Sequence, residues 1–175
     1  MGKRIFITAT LALIMATSAF ACKLVNRNDS GGEEKPTGTA IVYFTKEITP
    51  QSLIKIYEAL GREASGKVAI KLSMGEPGGH NYLKPELVGD FVRLVDGTFI
   101  DANTAYGGKR ATTEDHLQTA RDHGFTAIAP VDILDAEAEM DLPIEGGKHL
   151  NRDIVGANFA NYDFMVNLSH FKGHG

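Results

Sequence analysis

The sequence predicts an α/β domain: a mostly parallel sheet with helices on both faces plus a β-hairpin insertion, incomplete at its C-terminus. Three observations carry this prediction. Short runs rich in Val, Ile and Phe, at residues 40–44, 68–72 and 98–101 and again from Phe164, have the length of strands. Between them lie segments with apolar residues at helical spacing, each opened by a recognisable start signal. Strands alternating with helices bury their apolar faces most simply as a parallel sheet covered on both sides. Composition agrees, since 43% hydrophobic and 23% charged residues suit a globular domain.

The chain opens with a leader. Lys3-Arg4 precede an apolar segment, residues 5–16, of signal-peptide length and too short to span a bilayer as a stop-transfer helix. Small residues follow, ending Ala19-Phe20-Ala21-Cys22. Ala-x-Ala is a signal-peptidase pattern, and the cysteine directly after it points to lipidation of Cys22, although Ala19 stands where a lipobox prefers Leu. The alternative is an ordinary cleaved leader that leaves a free thiol. We therefore expect residues 1–21 to be a signal peptide and the protein to be exported to the cell envelope or periplasm, membrane-anchored through Cys22. Residues 22–39 are polar, Gly-rich and aperiodic, and read as a tether. Residues 40–175 form the domain.

Within it, residues 40–44 read as the first strand. Thr49-Pro50 supplies an N-cap and a Pro at N1, Leu53, Ile54, Tyr57 and Leu60 follow at helical spacing, and Gly61 closes the helix. Residues 68–72 are the second strand. Pro85 opens a helix with Leu87, Val88, Phe91, Val92 and Val95 on one face, ended by Gly97, and residues 98–101 are the third strand. Thr112 and Asp115 have capping-box spacing for a helix running through His123, with Gly124 beyond. Residues 127–131 suggest a fourth strand, with Pro130 favouring an edge. Residues 139–144 and 148–155 form a hairpin around Glu145-Gly146-Gly147, and residues 156–162 a turn or short helix before the last strand.

In a parallel sheet the loops after successive strands share one edge, where open α/β folds place their chemistry. Three such loops are polar and Gly-rich. The first offers Glu76, Asn81 and Tyr82 as ligand contacts, with His80 and Glu76 equally readable as solvated. The second offers Asp101, Asn103, Tyr106, Lys109 and Arg110. Asp101 and Asn103 suit metal or ribose contacts or plain loop capping, and Gly107-Gly108-Lys109-Arg110 suits an anion at the next helix N-terminus, though without P-loop spacing. The last offers Ser169, His170, Lys172 and His174. His170 and His174 are candidate metal ligands, and with Lys172 and Asp101 the candidate catalytic groups; neutral imidazoles bind first-row metals, and Lys172 suits an anionic substrate. His116, His123 and His149 read as surface residues. Net charge is −4 and no basic stripe occurs, so no nucleic-acid partner is expected. Cys22 is the single cysteine, which excludes a disulfide framework, a four-cysteine zinc site or a cysteine-held cluster within these residues.

Residues 71–86 (KLSMGEPGGHNYLKPE), 101–110 (DANTAYGGKR), Asp115-His116-Leu117, His123-Gly124-Phe125 and 167–175 (NLSHFKGHG) together resemble the DUF362 family, in the family's order. The family is named for unknown function. The resemblance implies a link to ferredoxin-like iron–sulfur chemistry and a redox partner, since many members carry a downstream 4Fe–4S segment. It also implies that the domain continues past the S-H-F-K-G-H motif. Here the chain stops at that motif without cluster cysteines, so it reads as the N-terminal part of a longer protein, and a 4Fe–4S cluster is expected only in that longer form. Three readings remain open: a ligand- or metal-binding protein whose His170 and His174 are needed for turnover, a non-catalytic binding module of the envelope that tolerates their change, and a truncated fragment that exposes apolar surface and aggregates.

Overall fold

The computed structural model describes residues 5–7, as backbone, and 40–170. Its centre is a parallel sheet of β2 (Val68–Lys71), β3 (Gly97–Asp101), β4 (Val131–Ile133) and β7 (Phe164–Asn167), with the three-residue β1 (Ile5–Ile7) added beside β7. The strand order is β1-β7-β2-β3-β4. Val68 lies level with both Gly97 and Phe164, so the last strand enters the sheet directly against the first strand of the four. A separate antiparallel hairpin pairs β5 (Glu139–Pro143) with β6 (Arg152–Gly156), as the sequence predicts.

Local signals place the helices where expected. α1 (Pro50–Ala59) starts at a reciprocal capping box: Thr49 Oγ1 accepts from the Ser52 amide at 3.1 Å and Ser52 Oγ accepts from the Thr49 amide at 3.0 Å. α2 (Pro85–Leu94) begins with Pro at N1, whose missing N–H costs nothing there. α3 (Thr113–Asp122) is capped by Thr112, which accepts from the Asp115 amide, and leaves through Gly124 at φ +85°.

All three helices contribute to the main core, on the sheet face carrying Val68, Ile70, Phe99, Phe164 and Val166. Phe91 of α2 and Phe125 after α3 are fully buried there, each worth about 1.5–3 kcal/mol relative to exposure. The other face is smaller. Ala69, Ile100 and Leu134 are covered by Phe159 and Tyr162, in and just after the 3₁₀ turn Ala157–Asn161, so both faces are covered but the second by one short turn.

Several expectations are corrected. Residues 40–44 form no strand: Ile41, Val42, Tyr43 and Phe44 are exposed, because β7 and β3, not this segment, flank β2. β-propensity without a sheet edge to join does not make a strand. The fourth strand begins at Val131 rather than 127, since Phe125–Ala127 turns as a 3₁₀ helix that buries Phe125. Gly97 does not end α2. Asp96 takes the left-handed turn (φ +48°), and Gly97 starts β3 where a Cβ would lie 2.6 Å from Ile70 Cγ1. Apart from Ile5–Ile7, the expected leader and tether, with the cleavage site and the lipidation site Cys22, lie outside the described residues. Among the described residues no helix is long and apolar enough to cross a membrane.

Candidate functional site

Because every strand of the main sheet runs the same way, the residues that follow β2, β3 and β7 meet at one edge. A cleft of about 290 Å³ opens between two of them. Lys71, Leu72 and Ser73 leave β2 on one side and Asn167, Leu168, Ser169 and His170 leave β7 on the other, while Asn81 and Tyr82 form the wall. Leu72 and Leu168 are buried and anchor the two strand ends, and the Leu168 amide donates to the Lys71 carbonyl at 2.8 Å. The cleft is therefore stitched across its floor by backbone.

Behind it lies a buried ionic network centred on Asp101, whose side chain is 7% exposed. Its Oδ1 accepts from Lys71 Nζ at 2.8 Å and from the Ala102 amide at 3.0 Å. Its Oδ2 accepts from the Met74 amide at 3.3 Å and faces Arg110 Nη1 at 3.5 Å. His116, fully buried, turns Nε2 toward the same oxygen from 3.4 Å without an aligned hydrogen bond, and its Nδ1 lies 3.3 Å from Asn103 Oδ1. Burial would raise the Asp101 pKa, but His116, Lys71 and the Ala102 amide more than offset it and hold the carboxyl down to about 2. Arg110 reaches out of this network to Glu76 in a close ion pair and to the Tyr106 hydroxyl at 3.2 Å, and that hydroxyl donates to Glu76 at 3.1 Å. The Arg110 hydrogen bond holds Glu76 below its ordinary carboxylate pKa against a smaller effect of burial. For Arg110, burial acts against the charge and the two carboxylates prevail, raising its pKa.

The wall is also ordered. The Tyr82 ring stacks on His123 (centroids 4.2 Å apart, planes 8° apart), and His123 Nδ1, 2.7 Å from the Met74 carbonyl, must carry its hydrogen to donate there. Lys84 Nζ sits 3.8 Å from the Tyr82 centroid. Since the imidazole covers one face of the ring, the ammonium covers the other. Gly75, at φ +82°, makes this possible: a Cβ there would come 2.6 Å from Tyr82 Cδ1.

The candidate residues thus fall into groups. Asn81, Tyr82, Ser169 and His170 line the cleft. Asp101, Glu76, Tyr106, Arg110 and Asn103 belong to the network; Asn103 additionally donates its backbone amide to Asp135 Oδ1 and its side-chain amide to Thr113 Oγ1. Lys109 stands apart, exposed and 3.7 Å from Asp115. At residues 107–110, where the sequence suggests an anion at the helix N-terminus, Lys109 faces Asp115, Arg110 pairs with Glu76 and Asp101, and Thr112 caps α3. Glu76 is not merely solvated. Nor is His116 a surface residue, while His123 is half-buried against Tyr82: amphipathic spacing alone gave no sign that α3 turns His116 onto a buried carboxylate. His149 is exposed as expected. Lys172 and His174 lie outside the described residues, and among the described residues no three His, Cys, Asp or Glu side chains converge as a metal site. Sequence reasoning missed Lys71; its signal was a lysine closing an otherwise apolar strand.

A larger hollow of about 560 Å³ lies at the opposite edge, between the C-terminal ends of α1 and α2, lined by Tyr57, Arg62 and Leu94 among others. It lies beside the segments that enter β2 and β3, the edge at which parallel sheets do not place ligand sites, and among the described residues no buried ionic network adjoins it. The smaller cleft is the better candidate.

A family model described as "Domain of unknown function (DUF362)" matches residues 68–175, which takes in the whole cleft and its network. Neither the curated proteins nor the solved structures compared with the chain match it.

Proposed function

The chain belongs to the DUF362 family, and we propose that its strand-end cleft is a binding site for a small ligand. The observation that carries this is the Lys71–Asp101 pair: a half-exposed ammonium on the cleft floor is fixed by a buried carboxylate whose other partners come from two further segments. A folding core alone has no need to hold a lysine at a cleft in this way, whereas a binding site gains a preorganised charge.

The proposal extends to location. Lys3-Arg4, the apolar run after it and Ala19-Phe20-Ala21-Cys22 support export to the envelope or periplasm, with Cys22 carrying a lipid anchor. With Cys22 the sole cysteine, a link to iron–sulfur redox chemistry would run through a partner or further sequence.

A library of small fragments, screened by amide chemical shifts of the full 175-residue chain, tests the site. Saturable shifts at Ser73, Asn81, Ser169 and His170 are expected; shifts confined to the hollow at Tyr57, Arg62 and Leu94 would refute the assignment. Metal analysis of the same chain and of a His170→Ala/His174→Ala variant runs in parallel. Stoichiometric metal lost in the variant would make the ligand a metal ion held by the terminal motif.

A further inference from the structure

We infer that the ligand of this cleft carries an anionic oxygen head, carboxylate or phosphate, and that Lys71 is its counter-charge. The inference rests on the cleft assignment above and deepens it.

The first argument is the charge of the lining. Among the described residues that form the cleft there is no carboxylate side chain, whereas Lys71 and the polar side chains of Ser73, Asn81 and His170 are there; the Ser169 hydroxyl gives its hydrogen to Asn167 Oδ1. The second is the donor count of Lys71. An ammonium has three N–H groups. One is spent on Asp101 Oδ1 at 2.8 Å and a second leans on the Leu72 carbonyl at 3.4 Å, which leaves a third. The side chain is 34% exposed, so that third donor has open cleft to address. Asp101 fixes the ammonium in place while sharing its other oxygen with the Met74 amide and Arg110, so the carboxylate is not given to Lys71 alone.

The third argument concerns what the cleft cannot favour. Tyr82 is the one phenol ring among the described residues of the lining, and both its faces are taken, by His123 and by Lys84. It offers a hydroxyl and an edge, not a stacking platform. A planar aromatic ligand gains no stacking on Tyr82, whereas an oxyanion gains a tethered ammonium flanked by the Ser73 hydroxyl and the Asn81 amide. The Lys84 ammonium on the Tyr82 ring adds to the same sign of field.

The test titrates the full 175-residue chain with inorganic phosphate, acetate, acetamide and ethylammonium, reading the amide shifts of Ser73, Asn81, Ser169 and His170. Saturable shifts with phosphate or acetate, and not with acetamide or ethylammonium, are expected, and whichever anion binds more tightly identifies the head group. Lys71→Met is expected to weaken that binding at least about tenfold, the loss of one charge-assisted hydrogen bond. Lys71→Arg should retain most of it. Because Lys71→Met strips a partner from Asp101, its fold is checked by amide dispersion, and Asn81→Ala, which touches no ion pair, serves as a second variant expected to weaken binding severalfold. Anion binding unchanged in folded Lys71→Met overturns the inference, whatever Asn81→Ala does, and if Lys71→Met fails to fold, binding unchanged in Asn81→Ala overturns it. Shifts driven only by acetamide or ethylammonium overturn the ligand class while the site stands. No response to any of the four, together with a silent fragment screen, overturns both.

Discussion

Replacing Asp101 by Asn should expose the energetics of the network. In the folded protein the carboxyl sits at about 2 rather than 3.8, and each tenfold change in an acid constant is worth about 1.4 kcal/mol, so ionised Asp101 contributes roughly 2 kcal/mol of stability. The sign follows from the depressed value: the contribution is complete above about pH 5 and disappears as pH falls through 3.8 toward 2. Asn removes it at every pH and leaves Lys71, Arg110 and His116 facing a neutral amide. Removing one partner of a buried ion pair costs about 3–5 kcal/mol, reduced here because Lys71 can relax into the open cleft. We expect Asp101→Asn to lower unfolding free energy by about 2–4 kcal/mol at pH 7, measured by urea denaturation. Repeated at pH 5, 4, 3 and 2.5, the gap between wild type and variant should narrow by about 2 kcal/mol, mostly below pH 4. A gap that stays constant from pH 7 to 2.5 would refute the reasoning, since the charge on Asp101 would then carry none of the difference.

Other consequences follow from single contacts. Gly75→Ala forces an L side chain into φ +82° and against the Tyr82 ring; a loss of about 1–3 kcal/mol in thermal or urea unfolding is expected, with broadened Tyr82 and His123 ring signals. Tyr162→Phe removes a hydroxyl that donates to Asp132 Oδ2 at 2.8 Å, where burial first and the carboxylate second raise the phenol pKa; a cost of about 1 kcal/mol is expected, and an ultraviolet titration of wild type should show one tyrosine ionising later than the others. Glu76→Gln weakens the outer half of the network, but Glu76 is half exposed, so a loss under about 1 kcal/mol is expected, shrinking as salt is raised. Deleting residues 1–21, as export would, removes β1 from the edge of β7; hydrogen exchange should quicken at Phe164, Met165 and Val166 and stay unchanged at Val68–Lys71.

What the sequence determined by itself was the set of elements whose signals are local. Thr49 with Ser52, Pro85, and Thr112 with Asp115 specify helix starts through contacts no more than three residues apart, and Gly61 and Gly124 specify ends through their own φ. The hairpin and the buried strands β2 and β3 are equally local in pattern, and the family motifs mark the same loops that the fold gathers. Tertiary structure alone decided which strands are neighbours. Placing β7 against β2 brings residues separated by about a hundred positions to one cleft, and that pairing leaves residues 40–44, as strand-like in composition as any, exposed beside it. The same holds for charge: no spacing rule announces that Lys71, Arg110 and His116, from three different segments, will converge on Asp101. Propensity and capping act over a turn of chain, whereas sheet order and ion networks are settled by which burial arrangement satisfies the most apolar area and the fewest unpaired charges at once.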